Sequence, residues 1–240
     1  MLSRLDDAFT AQKQFSASAA HELRTPLAVM QTNLEVFARK KTPTIEEYQD
    51  IFGMIQNQTE RLSHLSEVLL DMTGIQSVER SDFISLAELT DEVCCDLASI
   101  ADQKKVELIQ EEGDCTVTGS YLLLYRAVYN LVENAIKYNH SGGKVTVKIS
   151  QKKDLPAAHS KPTDYALVEV TDTGIGISPE FQEKIFDPFF RVDKSRSRAM
   201  GGAGLGLALV NEIARQHGGQ VKVLASSEKG STIALILPLS

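Results

Sequence analysis

NLVENAIKYN, residues 130–139, closes a helical run, and its reading decides what the second half of the chain must be. On a helix, Asn130 and Asn134 lie four residues apart and share a face with Lys137, so two amide oxygens and one ammonium group converge. An amide oxygen suits a hard cation such as Mg2+ without burying a second charge, and a lysine meets phosphate. Taken alone, the same residues also suit the solvated last turn of a helix.

Two glycine-rich stretches downstream favour the first reading. DTGIGIS, residues 172–178, follows a strand pattern and sets Asp172 where the backbone opens into a loop. GGAGLGLALV, residues 201–210, runs into a helix whose first N–H groups and positive dipole end suit a phosphate anion. Neither is the lysine-bearing phosphate loop. Between them, FDPFFRVDKSRSRAM (186–200) joins three phenylalanines to a basic, small-residue segment. Phe186, Phe189 and Phe190 are expected as core anchors, and the segment after them, beginning at Arg191, as a lid that brings a basic group to the phosphates.

Working outward, residues after about 76 alternate between helix and strand patterns. LAELTDEVCCDLASIADQ and YLLLYRAVYNLVENAIKYN read as amphipathic helices, and VELIQ, CTVTG, KVTVKIS, YALVEVTD, QVKVLAS and STIALILPL as strands. GLGLALVNEIARQHGG is a helix closed by glycine. This predicts an α/β sandwich with a mixed sheet covered by helices on one face.

Residues 1 to about 74 are helical in pattern throughout. Ala20, Leu23, Leu27, Met30, Leu34 and Phe37 recur at spacings of three and four, the seam of a narrow bundle. Thr44, three residues before Glu47, is a capping-box signal for a second helix, where Tyr48, Phe52, Ile55, Leu62 and Leu65 form another stripe. Two helices with such narrow seams cannot enclose a core, so a second copy is expected to complete a four-helix bundle. Within the first helix, SASAAHELRTP (16–26) sets His21 one position off the seam beside Glu22, with Pro26 as a point where the helix is expected to bend. A flexible joint is expected near residues 74–84.

The composition fits this picture. At 42% hydrophobic and 24% charged residues, 240 residues bury a substantial core. A net charge of −7 argues against a sequence-independent nucleic-acid binder, which needs a basic surface. Cys94, Cys95 and Cys115 lack disulfide-framework or zinc spacing, so a reducing cytoplasm fits. No apolar run reaches the ~18 residues of a membrane span. His64, His140, His159 and His217 have no metal-spaced partners and are expected to have no catalytic role.

The ordered set HELRTPL, NLVENAIKYN, DTGIGI, FDPFFR and GGAGLGL resembles the catalytic core of bacterial two-component sensor histidine kinases, with their H, N, first glycine, F and second glycine boxes. The resemblance implies a dimerisation and histidine phosphotransfer domain over 1–76 and a Bergerat-type ATP-binding domain over 77–240. It implies ATP and Mg2+ as cofactors, phosphorylation of His21, and transfer to an aspartate of a response regulator, with phosphatase activity toward that regulator as well. Glu22 corresponds to the base for the imidazole proton and Thr25 to the residue that orients water in dephosphorylation. Asn134 corresponds to the Mg2+ ligand, assisted by Asn130, with Lys137 near phosphate and Tyr138 beside the nucleotide. Asp172 corresponds to the acceptor of the adenine amino group, Gly174 and Gly176 to the close-approach glycines, and Gly202, Gly204, Leu205 and Gly206 to the lid hinge and the phosphate-facing helix start. Implied partners are a second copy of the chain and the response regulator, with no nucleic acid. The implied location is the cytoplasmic side of a bacterial membrane receptor, anchored through an N-terminal part absent from this chain. Ala20 and Ala203 depart from the family pattern, where a hydroxyl residue is common.

Overall fold

The computed structural model describes residues 2–75, 78–152, 164–192 and 203–239. Gly202, the basic stretch from 193 and His159 lie outside the described residues. The chain forms two compact units, one of residues 1–71 with 197–203 and one of residues 72–196 with 204–240. Among the described residues, no helix is long and apolar enough to cross a membrane.

The first unit is a helical hairpin of α1 (Leu2–Ala38) and α2 (Ile45–Gly74), the latter running on into the second unit. The turn is closed by the capping box its sequence predicts. The Thr44 N–H donates to Glu47 Oε2 at 3.1 Å, and the Glu47 N–H donates to Thr44 Oγ1 at 3.3 Å. Phe37 meets Tyr48 edge-on across the turn, with ring centroids 5.0 Å apart. The seam is only partly covered: Leu23 and Met30 are half-buried, while Leu27 remains 52% and Phe52 68% exposed. α1 continues through Pro26, whose ring is buried.

The second unit contains α3 (Leu86–Lys104), α4 (Tyr121–Lys137) and α5 (Gly206–Gln216), with strands β1 (Asp82–Ser85), β2 (Glu107–Gln110), β3 (Thr116–Gly119), β4 (Lys144–Lys152), β5 (Tyr165–Asp172), β6 (Gln220–Ser227) and β7 (Gly230–Pro238). Five strands form one mixed sheet in the order β2-β4-β5-β7-β6, in which only β2 and β4 run parallel. Val145, Val147 and Ile149 are buried at alternate positions of β4, as the pleat requires. On α4, Leu124, Val128, Leu131 and Val132 are buried, and the helix packs between α3 and α5.

Two parts of this unit differ from the sequence expectation. CTVTG leaves the main sheet and pairs with β1, which arises inside the stretch expected as a flexible joint. Described residues on either side of 76–77 are held in place. Ile75 is buried, and Arg80 donates to the carbonyls of Ile75 and Val78 at 3.4 and 3.1 Å and to the Gln216 side chain at 3.4 Å, at the C-terminal end of α5. The second difference is that Tyr165, Leu167, Ala234 and Ile236 form a buried cluster of their own, opposite in the pleat to Val168 and Leu235.

His217 joins α5 to the start of α4. Its Nδ1 lies 2.8 Å from the Ile213 carbonyl and its Nε2 accepts the Ser120 N–H at 3.1 Å, which fixes a neutral ring protonated on Nδ1. Burial lowers its pKa from the ordinary value of 6.5, and Arg80 adds to the shift against the Ile213 bond. The unfolded chain therefore takes up a proton here that the folded chain refuses. Stability should be fully present above 6.5 and fall as pH drops below it. Urea unfolding followed by circular dichroism at pH 7.5 and 5.5 checks this, and His217→Gln should show a shallower loss between the two.

Candidate active site

α4 presents the two asparagines with their amide groups already oriented. Asn130 Nδ2 donates to the Arg126 carbonyl and Asn134 Nδ2 to the Asn130 carbonyl, both at 2.8 Å. Each nitrogen is thus committed to the helix, and each oxygen is turned away from those bonds. The start of α5 lies directly alongside. A Cβ built on Gly206 would be 2.5 Å from Asn130 Oδ1 and 3.6 Å from Asn134 Nδ2, so a larger residue would have to push the Asn130 amide aside. The structure therefore brings Asn130, Asn134 and the N-terminal N–H groups of α5 together. Leu205 is buried, so it offers backbone rather than side chain to this space.

An oxygen donor of this kind fits Mg2+, which takes one or two protein ligands and keeps its remaining positions for water and phosphate oxygen. Among the described residues no group of three His, Cys, Asp or Glu side chains could hold a metal alone.

Lys137 and Tyr138 end α4, both half-buried. Lys104, whose pKa burial lowers, donates its ammonium group to the Lys137 carbonyl. The Tyr138 carbonyl accepts the Ile175 N–H at 3.3 Å, and a Cβ on Gly174 would sit 2.5 Å from that carbonyl oxygen. The first glycine stretch therefore lies against the end of α4. Asp172, at the end of β5, accepts the Gly174 N–H at 2.7 Å. Burial raises its carboxyl pKa, opposed by bonds from the backbone N–H groups of Gly174 and Ser231. Gly176 adopts a φ of +69°, and a Cβ there would lie 1.8 Å from the Ser227 carbonyl oxygen. Ser226 accepts the Ile177 N–H at 2.7 Å and bonds Ser231 at 2.9 Å, so the loop is pinned to β6 and β7. Sequence reading missed Ser226 and Ser231. Their only signal was a serine-rich turn between two strands.

The phenylalanine segment folds back on the second glycine stretch. The Phe189 N–H donates to the Gly204 carbonyl at 2.8 Å, with Phe189 at φ 64° and Gly204 at φ 73°. Phe181 and Phe190 stack obliquely at 5.7 Å. Phe186, Phe189 and Phe190 are half-buried rather than fully enclosed, and Arg191 lies against Gly204 through its Cγ.

In the hairpin, His21 is exposed and Glu22 half-buried. The Glu22 carboxylate pairs with Arg61 of α2 at 3.4 Å, a partner 39 residues away that no spacing in the sequence reveals. Thr25 donates its hydroxyl to the His21 carbonyl at 3.0 Å. A shallow surface groove along α1 is lined by His21, Arg24, Thr25 and Ala28 among others.

The chain matches known proteins in sequence and in fold. The family model described as "Histidine kinase-, DNA gyrase B-, and HSP90-like ATPase" matches residues 119–240, and the "His Kinase A (phospho-acceptor) domain" model matches residues 11–77. The chain is 33% identical over 236 residues to the sensor histidine kinase RppB of Synechocystis, covering 96% of this chain and 50% of RppB. It is 32% identical over 244 residues to the sensor histidine kinase CusS of Escherichia coli, covering 99% of this chain and 48% of CusS. It thus spans about half the length of these relatives. In fold it resembles the histidine kinase ThkA, solved in complex with the response regulator protein TrrA, with a TM-score of 0.72 at 22% identity over 98% of this chain and 64% of that one. The chain belongs to the histidine kinase-, DNA gyrase B- and HSP90-like ATPases, and within them to the sensor histidine kinases that carry a phospho-acceptor domain.

Proposed function

We propose that this chain is the core of a sensor histidine kinase that phosphorylates His21 from Mg2+-bound ATP and passes the phosphoryl group to an aspartate of a response regulator. The observation that carries the reading is the approach of Gly206 to Asn130, which sets free helix N–H groups beside outward amide oxygens. The domains are read as 1–76 for dimerisation and phosphotransfer and 77–240 for ATP binding.

In the reaction, one imidazole nitrogen of His21 attacks the γ-phosphorus of ATP. The N–P bond forms, the bond to the bridging oxygen breaks, and ADP departs with that electron pair. The proton on the other ring nitrogen passes to Glu22. Glu22 follows His21 directly, and its Oε2 lies 3.4 Å from the Arg61 guanidinium. Mg2+ supplies neutralisation of charge on the phosphates when bound, and Asn134 would hold it, with Asn130 assisting. Lys137, Arg191, Gly204, Leu205 and Gly206 are assigned to the phosphate side, as Gly202 is by the family resemblance alone. Tyr138, Asp172, Gly174 and Gly176 line the base side, where the Asp172 carboxylate accepts the adenine amino group.

The uncovered seam at Leu27 and Phe52 supports pairing of two hairpins in a homodimer. The likeness to ThkA, solved with a response regulator, supports that partner class. Thr25, beside the phosphoacceptor, is assigned to dephosphorylation of that regulator. The chain is assigned to the cytoplasmic side of a bacterial membrane receptor, with the membrane part outside these residues.

Incubation with γ-labelled ATP and Mg2+ tests the reading. The expected label is acid-labile and base-stable, as a phosphoramidate is. An acid-stable label, or ATP turnover that survives His21→Ala, would instead favour an ATPase of the chaperone or topoisomerase kind.

A further inference from the structure

Asn139 is one of the few polar residues buried in the described structure, at 8% exposure, and nothing above assigns it a role. Its amide is fully specified by its neighbours. Nδ2 donates to the Lys144 carbonyl at 2.8 Å, while Oδ1 accepts the His140 N–H at 3.0 Å and the Thr173 hydroxyl at 3.2 Å. A backbone N–H cannot accept and a carbonyl cannot donate, so the amide has only one workable orientation. Thr173 completes the loop by accepting the Lys144 N–H at 2.8 Å, and its own N–H donates to the Lys144 carbonyl at 3.1 Å. Gly143 is required by the same arrangement, since a Cβ there would fall 2.1 Å from Asn139 Oδ1 and 2.8 Å from Thr173 Oγ1.

These bonds join two places that are far apart in sequence. Asn139 immediately follows Tyr138 at the end of α4, and Thr173 immediately follows Asp172 at the end of β5. With the Ile175 bond to the Tyr138 carbonyl, they fix the spacing between the helix that bears Asn134 and the loop that bears Asp172. The Asp172 carboxylate is already committed on one oxygen to the Gly174 N–H, one residue beyond Thr173. Its direction therefore depends on where Thr173 is anchored, together with the Ser231 N–H that also bonds it.

We propose that Asn139 and Thr173 act as positioning residues that brace the Asp172 carboxylate against the end of α4, and thereby set the preference of the site for an adenine over a guanine nucleotide. This rests on the reading that Asp172 accepts the adenine amino group. A six-amino group donates to a carboxylate, whereas the six-oxo group of guanine repels it, so discrimination depends on how firmly the carboxylate is held.

The test uses the whole chain with trinitrophenyl-ATP as a reporter, displaced by ATP or by GTP. Thr173→Val keeps the shape and removes the hydroxyl. It should weaken ATP about tenfold, equivalent to ~1.4 kcal/mol, and leave GTP nearly unchanged, so the ATP:GTP ratio narrows about tenfold. Thr173→Ser restores the hydroxyl and should return the ratio to within about twofold of the parent. Asn139→Asp, which turns an acceptor toward the Lys144 carbonyl, should narrow the ratio as Thr173→Val does. Asp172→Asn serves as the reference for loss of adenine preference. If Asp172→Asn loses the preference but Thr173→Val keeps it, the brace is overturned and the site reading stands. Equal weakening of both nucleotides with a lowered melting temperature assigns these residues to stability alone and also overturns the brace. If Asp172→Asn keeps the preference, the site reading fails and the brace falls with it.

Discussion

His21→Gln should abolish acid-labile labelling completely while leaving the affinity for ATP unchanged. The side chain is exposed on α1, and the α/β unit that is read as holding the nucleotide is a separate compact unit. Glutamine keeps a polar group in helix and costs at most about 0.5 kcal/mol at such a position. It has no nucleophilic ring nitrogen, and no other described residue of α1 near His21 offers one. Labelling at saturating ATP, scored beside displacement of a fluorescent nucleotide, separates loss of the acceptor from loss of binding. Retained label on the variant would sink the assignment of His21. Asn134→Ala should also lose the label, but together with nucleotide affinity.

The second large effect is expected at Gly176. Alanine there meets two penalties at once. The left-handed φ of +69° costs roughly 1–2 kcal/mol for a residue with a Cβ. The added methyl group also meets the Ser227 carbonyl oxygen at 1.8 Å, a backbone atom that moves only if β6 moves. ATP affinity should fall about thirtyfold or more, since the loop after Asp172 must shift by more than its hydrogen bonds with Ser226 and Ser231 tolerate. Gly142→Ala is the matched control. It has a comparable φ of +81° with nothing within 4 Å, so it pays the conformational cost alone and should keep ATP affinity. Equal behaviour of the two variants would show that crowding at Ser227 does not govern the site.

How much of this was legible in the sequence follows from the range of each interaction. The Thr44 capping box was readable because both partners lie within one turn, and the helices and strands were readable from periodicity. The pairing of β1 with β3 was not, because α3 and β2 separate Phe83 from Thr118 in sequence and the two carry no mutual signal in spacing. At the site, the asparagine spacing on α4 was visible, but its juxtaposition with Gly206 depends on how α4 and α5 pack. The family resemblance supplied the roles of His21, Glu22, Asn134 and Asp172. It did not supply Arg61, Asn139 or Ser231, whose contacts depend on the folded chain.

Arg80 ties the first residues of the second unit to the far end of α5. α5 has 11 residues and therefore behaves as a rod roughly 16 Å long at 1.5 Å per residue. One end begins at Gly206, against Asn130, and the other ends at Gln216, in the grip of Arg80. A hydrogen-bonded helix transmits displacement along its axis with little compression. A shift of the chain at Val78 and Arg80 would thus bear first on the end of α5 remote from Gly206, some three helical turns away.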